Sequence, residues 1–264
     1  SNEDRDTFHV MDKVKPKLEI PVNDKKKGCK FLESLGLKKN SKFVLVYARD
    51  SAYYNYKPAS DYRNSDNNNF ILMIKYLISQ GYFVFRMGSK VNKKVKFKHK
   101  HFFDYATNGM RSEFLDIFLG LNCHFCVSTG SGFDAIPMCA RKPVVLVSFS
   151  PINIFWSFGK KNIHIFKHHY DIQRKKKLSL KEIFQIGVSQ SLNTQEFLLK
   201  GVQLKENTPS EIKEVVKEMD LRLKKKWKNT KSDKFLQKLF WKQIDKKAVS
   251  ADTDNIKIHN KFYC

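Results

Sequence analysis

The sequence lacks several features that would assign a membrane or secretory location. No stretch reaches the eighteen or so consecutive apolar residues of a membrane span, and residues 1–4 do not begin a secretory signal. Cysteine is scarce, with five residues in an odd count that mostly lie in apolar runs. That usage indicates reduced thiols rather than a disulfide framework. We therefore expect a cytoplasmic protein.

The common phosphate-binding and metal-binding motifs are also missing. Neither the GxGxxG spacing of dinucleotide enzymes nor a Walker P-loop occurs, so NAD and ATP chemistry are not favoured. The CxxC spacing at 123–126 has no second pair, and we interpret Cys123 and Cys126 as core thiols rather than zinc ligands. No recognised RNA-binding motif is present. We expect no metal and no cofactor.

Acidic residues are few beside the basic ones. The chain has 26 Asp and Glu against 50 Lys and Arg, for a formal charge of +24. Such an excess indicates an anionic partner: nucleic acid, lipid headgroups or a phosphorylated substrate. An AT-rich genome would also favour lysine, so charge does not choose among these partners. Hydrophobic residues make up 41% of the chain, enough to build a packed core.

Strand and helix patterns alternate through the middle of the chain. Apolar runs at 43–47, 82–87, 125–129 and 144–147 predict buried parallel strands, and helical periodicity lies between them. This alternation predicts an α/β fold with a Rossmann-like parallel sheet and helices on both faces. We expect an N-terminal extension with a short helix over 1–40, this domain over 41–220, and a basic helical tail over 221–264. The tail fits either a bilayer surface or a helix packed on the domain.

The residues that follow the predicted strands are polar. In open α/β sheets, ligands bind beyond the carboxyl ends of the strands, so these positions are candidate binding residues. They are Arg49 and Asp50, Arg86 with Gly88, Asp104 with Tyr105, and the turn formed by Thr129, Gly130, Ser131 and Gly132.

Two chemical groups among these candidates suit phosphate. The glycines of the turn allow close approach of backbone N–H groups to a ligand, although small residues also make ordinary strand–helix turns. The guanidinium groups of Arg49 and Arg86 fit a diphosphate bidentately, whereas the alternative is a structural ion pair with Asp50 or Asp61.

Several motifs in register carry a resemblance to a known family. They are YARDSAY at 47–53, DYRN at 61–64, RMG at 86–88, DYA at 104–106, FLDI at 114–117, STGSG at 128–132 and ENTP at 206–209. Over about 42–223, the chain resembles bacterial surface-polysaccharide glycosyltransferases of the GT-B type. It is more distantly similar to the donor domain of the fucosyltransferase superfamily.

The resemblance implies a nucleotide-diphosphate sugar as donor, with GDP favoured as the nucleotide. It implies that Arg49 contacts the β-phosphate, that 129–132 cradles the diphosphate, and that Asp104 or Tyr105 lies near the base. It adds Tyr47, Arg63 and Glu206 as donor-binding residues. The family's histidine before the arginine is replaced here by Tyr47-Ala48. GT-B enzymes also need an acceptor domain, so we expect either the donor half of a longer enzyme or a partner-dependent protein.

The resemblance thus implies metal-independent transfer of a hexosyl or fucosyl group. Cationic and backbone donors would stabilise the leaving diphosphate, and Asp50 or Asp61 would be the base for the acceptor hydroxyl. We expect a glycan or lipid-linked acceptor and peripheral contact with anionic membrane, but no nucleic acid. The alternative is a non-catalytic basic module that binds polyanions such as RNA or anionic membrane.

Overall fold

A seven-stranded parallel sheet forms the centre of the protein. The computed structural model describes residues 10–54, 58–153, 159–244 and 257–263. The strands are β1 (Phe43–Tyr47), β2 (Phe83–Arg86), β3 (Phe102–Phe103), β4 (Phe125–Ser128), β5 (Val144–Phe149), β6 (Ile163–Phe166), β7 (His168–Asp171), β8 (Lys176–Lys177), β9 (Val202–Lys205) and β10 (Lys257–Ile258). The large sheet has the order β10-β6-β5-β4-β1-β2-β3, and β8-β7-β9 form a small antiparallel sheet.

The helices are α1 (Val10–Lys13), α2 (Val22–Ser34), α3 (Ile71–Ser79), α4 (Glu113–Asn122), α5 (Ala135–Cys139), α6 (Leu180–Ile186), α7 (Thr194–Leu199), α8 (Pro209–Leu223) and α9 (Lys231–Gln243). Short 3₁₀ helices occur at Ser51–Tyr54, Pro58–Arg63, Asn67–Phe70, Gly132–Asp134 and Asn260–Tyr263. The chain moves in opposite directions along the sheet through α3 and α5, so the right-handed rule for crossovers predicts that these helices cover opposite faces. Helix α8 packs beside α3, and α4 packs with α5 and α2.

The central strands are apolar because helices cover both of their faces. In β1 the side chains of Val44 and Leu45 are fully buried, as are Phe125 and Val127 in β4. Asp220 of α8 is also fully buried, where it accepts hydrogen bonds from the hydroxyls of Tyr76 and Tyr82 at 2.7 Å each. The strand order 3-2-1-4-5-6 is that of the Rossmann fold, so the predicted fold class is confirmed.

The C-terminal region, predicted as a basic helical tail over 221–264, packs on the α/β domain where the structure describes it. Helix α8 continues to Leu223, and α9 buries Phe240 and Trp241. Strand β10 pairs with β6 and extends the large sheet. The described part of this region is therefore integrated into the α/β domain. A two-residue strand is too short for hydrophobic periodicity to reveal, so it could not be predicted.

Candidate functional site

The candidate site lies where the chain reverses its direction along the sheet. From β1 the chain moves outward to β2 and β3, whereas β4 returns to the other side of β1. Such a switch point leaves a crevice at the carboxyl ends of the two strands. Here that crevice is a pocket of about 360 Å³, which we call the arginine pocket. Its lining includes Tyr47, Arg49, Arg63, Arg111, Ser131 and Phe133.

Hydrogen bonds fix the ends of β1 and β4 against each other. The Arg49 backbone N–H donates to Thr129 Oγ1 at 3.0 Å, and the Thr129 N–H donates to the Tyr47 carbonyl at 3.2 Å. The Ser65 N–H donates to the Arg49 carbonyl at 2.8 Å. The structure therefore brings Arg49 next to the turn at 129–132. The Thr129 hydroxyl is buried and serves this joint rather than facing the pocket.

Three of the four backbone N–H groups of the turn at 129–132 already donate hydrogen bonds within the protein. Ser131 N–H donates to Asp134 Oδ2 at 2.7 Å, Gly130 N–H donates to Ser128 Oγ at 3.1 Å, and Phe133 N–H donates to Ser131 Oγ at 3.2 Å. Gly132 N–H makes no hydrogen bond to the described residues, and Gly132 lines the pocket. The expected backbone cradle is thus reduced to one amide, and the pocket's positive potential comes mainly from side chains.

Gly130 has the conformation that only glycine adopts without strain. Its φ is +86°, and a Cβ at this position would lie 2.5 Å from Phe149 Cε2. Its carbonyl accepts a hydrogen bond from Arg63 Nη2 at 2.7 Å. The turn therefore acts as a scaffold that holds Arg63 at the pocket.

Three guanidinium groups line the arginine pocket. Arg49 is only 6% exposed, and Arg111 Nη2 contacts Asp116 Oδ2 at 2.7 Å. Asp116 also lines the pocket, so three arginines face one carboxylate there. With these groups ionised, the formal charge of the lining is 3 − 1 = +2. A concave site of this charge favours an anion with several oxygen atoms.

A pair of aromatic rings forms another part of the wall. The rings of Tyr47 and Phe133 stack with centroids 5.8 Å apart and an interplanar angle of 14°. Burial raises the pKa of Tyr47, and the nearby carboxylates of Asp134 and Asp50 raise it further, so its hydroxyl stays protonated. Gly88 lines the pocket with φ +154°. The wall thus offers a flat apolar surface with a hydroxyl at its edge.

Three predicted binding residues lie inside the domain instead. Arg86 is fully buried, and its guanidinium donates to Asp104 Oδ1 at 3.1 Å and to Asn67 Oδ1 at 3.2 Å. Tyr105 is fully buried, and its hydroxyl bonds to the backbone of Ser112. The alternative prediction for Arg86 was a structural ion pair. Arg86 does form one, but with Asp104 rather than with Asp50 or Asp61. These contacts give Arg86, Asp104 and Tyr105 a structural role, and their role in donor binding stays a prediction.

The two candidate bases occupy different surroundings. Asp50 accepts hydrogen bonds from the backbone N–H groups of Ala52, at 3.0 Å, and Asn92, at 2.8 Å. Asp61 lies in a second pocket of about 660 Å³, which we call the Lys167 pocket. Its lining includes Asp61, Asn64, Asn69, Lys167, Lys205 and Glu206. Asp50 therefore orders a loop, whereas Asp61 faces a cavity.

Glu206, predicted as a donor-binding residue, lies in the Lys167 pocket rather than the arginine pocket. Its carboxylate accepts the Asp66 N–H at 3.0 and 3.2 Å and the Asn69 amide at 3.0 Å. Lys167, which directly follows β6, is buried and donates to the Asn64 carbonyl at 2.5 Å. Burial lowers the pKa of Lys167 to about 8, and the positive charge of Arg49 lowers it as well.

Sequence reasoning missed Arg111, Asp116 and Lys167 as pocket residues. Arg111 ends the long connection after β3, one residue before the N-cap Ser112 of α4. Lys167 stands at the carboxyl end of β6, so the same strand-end rule would have found it.

Among the residues that the structure describes, no group of three His, Cys, Asp or Glu side chains could hold a metal ion. No helix in the same residues has the length and apolar character needed to cross a bilayer.

Cys123 and Cys126 are buried, as expected of core thiols, and Cys264 lies outside the described residues.

Comparison with known proteins gives one structural similarity. No protein-family model matches the chain, and no curated protein matches it. Among solved structures, the chain is similar to a glycosyl transferase family 9 protein from Veillonella parvula, at 13% identity and a TM-score of 0.37. The match covers 51% of this chain and 38% of the other, so this chain corresponds to well under half of that protein's length.

Proposed function

We propose that the chain binds a nucleotide-diphosphate sugar in the arginine pocket and is the donor-binding part of a glycosyltransferase. One observation carries the proposal: three guanidinium groups meet at the switch point of a Rossmann-like sheet. The sequence motifs that resemble surface-polysaccharide glycosyltransferases support it, because Tyr47, Arg49, Arg63 and Ser131 from these motifs line the same pocket.

A pyrophosphate is the anion that fits this lining best. Guanidinium groups contact phosphate oxygens bidentately, and they remain charged at all physiological pH values. Arg49 is almost completely shielded from water, which strengthens its interaction with a bound anion. The stacked rings of Tyr47 and Phe133 offer a flat surface for the base or the sugar.

We assign the transfer step as follows. The bond between the anomeric carbon and the diphosphate oxygen breaks, and its electron pair leaves with the nucleoside diphosphate. Arg49, Arg63 and Arg111 stabilise the charge that grows on this leaving group, without requiring a metal ion. The acceptor hydroxyl oxygen forms the new bond to the anomeric carbon, and Asp61 takes its proton. Asp50 is the weaker candidate because two backbone amides already occupy its oxygens.

A thermal-shift measurement with nucleoside diphosphates tests the proposal. We expect one of GDP, UDP and ADP to raise the melting temperature of the wild type much more than the other two do. In Arg49→Ala this selective shift should disappear, and turnover of the matching nucleotide sugar should fall about 10²- to 10³-fold. Arg174→Ala is the matched control, since Arg174 is 64% exposed and lies at surface carboxylates away from the pocket.

The same measurement distinguishes the alternative function, a basic module for polyanions. Such a module would be stabilised equally by all nucleotides, RNA and inorganic polyphosphate, and the effect would fall steeply with salt. Equal shifts for every polyanion, unchanged in Arg49→Ala, would contradict the glycosyltransferase proposal.

A further inference from the structure

The Lys167 pocket adjoins the arginine pocket along a shared stretch of chain. Arg49 lines the arginine pocket, and Ser51, two residues later, lines the Lys167 pocket. Likewise Arg63 lines the first pocket and Asn64 the second. The hydrogen bond from Ser65 N–H to the Arg49 carbonyl, at 2.8 Å, ties these two segments together. A ligand in one pocket would therefore lie beside a ligand in the other.

The charges of the Lys167 pocket do not suit a second phosphate. Its lining includes three acidic residues and two lysines, namely Asp61, Asp66, Glu206, Lys167 and Lys205, and the Lys205 ammonium lies over the ring of Tyr170, 3.8 Å from its centroid. With these groups ionised, the formal charge is 2 − 3 = −1, against +2 for the arginine pocket. Among the described residues, no group of three His, Cys, Asp or Glu side chains here could hold a metal ion.

Its hydrogen-bonding groups suit a neutral ligand that is rich in hydroxyls. Carboxylates accept hydrogen bonds, ammonium groups donate them, and amide side chains do both, so together they match hydroxyl groups that do both. One oxygen of Asp61 accepts from Asn64 Nδ2 at 2.7 Å, and within the described residues its other oxygen makes no hydrogen bond. The lining thus offers a free hydrogen-bond acceptor, the second carboxylate oxygen of Asp61.

Lys167 provides the donor at the floor of this pocket. It is 4% exposed, and its ammonium has three protons. Within the described residues only the Asn64 carbonyl accepts one of them, at 2.5 Å. A buried ammonium whose remaining protons face a cavity is costly unless a ligand or water accepts them. Its position indicates a role in binding rather than in packing.

We propose that the Lys167 pocket is a carbohydrate subsite, in which Lys167, Asp61 and Asn69 hold the hydroxyl groups of the sugar that accepts the transferred residue. Its identification as an acceptor site rests on the proposed function, but carbohydrate binding itself does not. Asp61 then has both roles, since the carboxylate that binds a hydroxyl is placed to take its proton.

Saturation-transfer NMR on the full chain without nucleotide tests this subsite. The probes are the methyl glycosides of glucose, galactose, mannose and N-acetylglucosamine at millimolar concentration. We expect the wild type to bind at least one, and Lys167→Met to bind it about tenfold or more weakly, because a hydrogen bond to a charged donor is lost. The matched control is Lys200→Met, since Lys200 also donates to a carbonyl, that of Gly187 at 2.8 Å, but is exposed and lies outside both pockets.

Asp61→Asn gives a second, isosteric test that does not depend on how well Lys167→Met folds. It should also weaken binding of the same glycoside, and circular dichroism should show an unchanged fold. Absence of binding by the wild type to all four glycosides would overturn the proposal, as would equal binding by the wild type and both variants. Because no nucleotide is present, either failure would leave the thermal-shift result for the arginine pocket unaffected.

Discussion

The two pockets differ in charge although neighbouring residues of the same two loops build them. The arginine pocket has three guanidinium groups and one carboxylate, whereas the Lys167 pocket mixes carboxylates, amides and ammonium groups. Arg49 and Arg63 line the arginine pocket. Ser51 and Asn64, one or two positions later in the same loops, line the Lys167 pocket. The same two loops thus contribute to a positively charged pocket and to a neighbouring pocket of mixed charge.

The difference between the two pockets depends first on the turn at 129–132, which holds Arg63 at the arginine pocket. Gly130→Ala should destabilise the protein by about 2–4 kcal/mol, because a Cβ meets Phe149 at 2.5 Å and φ is +86°. Urea unfolding measures this change. Gly201→Ala is the control, with φ +68° and nothing within 4 Å of its Cβ, and should cost only about 1–2 kcal/mol. Equal losses would mean that strain alone, and not contact with Phe149, fixes the turn.

Arg111 lines the arginine pocket although the sequence analysis did not select it. Arg111→Ala should weaken nucleoside diphosphate binding about tenfold or more, since a charged donor to the phosphate is removed. Isothermal titration calorimetry with the nucleotide that stabilises the wild type measures the effect, and Arg174→Ala again serves as the control. Glycoside binding should not change. A loss of both ligands in Arg111→Ala would show that the pockets are one site.

The single carboxylate of the arginine pocket should oppose nucleotide binding. Asp116→Asn removes a negative charge and releases Arg111, so we expect affinity for the diphosphate to rise about threefold to fivefold at low salt. The control is Asp24→Asn, which removes a surface partner of Lys27. Weaker binding in Asp116→Asn would instead show that Asp116 matters chiefly by positioning Arg111.

The pockets should also respond differently to pH. Burial lowers the pKa of Lys167 to about 8, while the carboxylates of Glu206 and Asp61 limit this effect and Arg49 adds to it. Below pH 8 the ammonium is present and donates, and above pH 8 the neutral amine has lost its charge. Glycoside affinity should therefore fall by about half at pH 8 and further at higher pH. Guanidinium groups do not titrate in this range, so nucleotide binding should stay constant.

Much of the sheet could be predicted because buried parallel strands leave a strong sequence signal. Strands β1, β4 and β5 are mostly apolar, apart from Ser128 and Ser148, and nearly all of their residues are buried. The position of the site followed from the same signal, since ligands bind where such strands end. Strand β10 and the small sheet gave no comparable signal because β8 and β10 have two residues each.

The direction of each side chain at the strand ends could not be predicted. Arg49 and Arg86 both stand near the end of a strand, yet Arg49 lines a pocket and Arg86 binds Asp104 inside the domain. Thr129 and Ser131 are two residues apart, yet only Ser131 reaches the pocket. These outcomes depend on contacts with residues distant in sequence, such as the bond between Arg49 and Thr129. Periodicity within one segment contains no information about them.

The pairing of β10 with β6 has a consequence for folding during synthesis. Ile258 lies opposite His164, so the outer edge of β6 stays open until more than ninety further residues have been made. An uncovered strand edge is a template for pairing with another chain. A ribosome-bound chain that stops before β10 should therefore be more prone to aggregate than the finished one, even though the switch point is already complete.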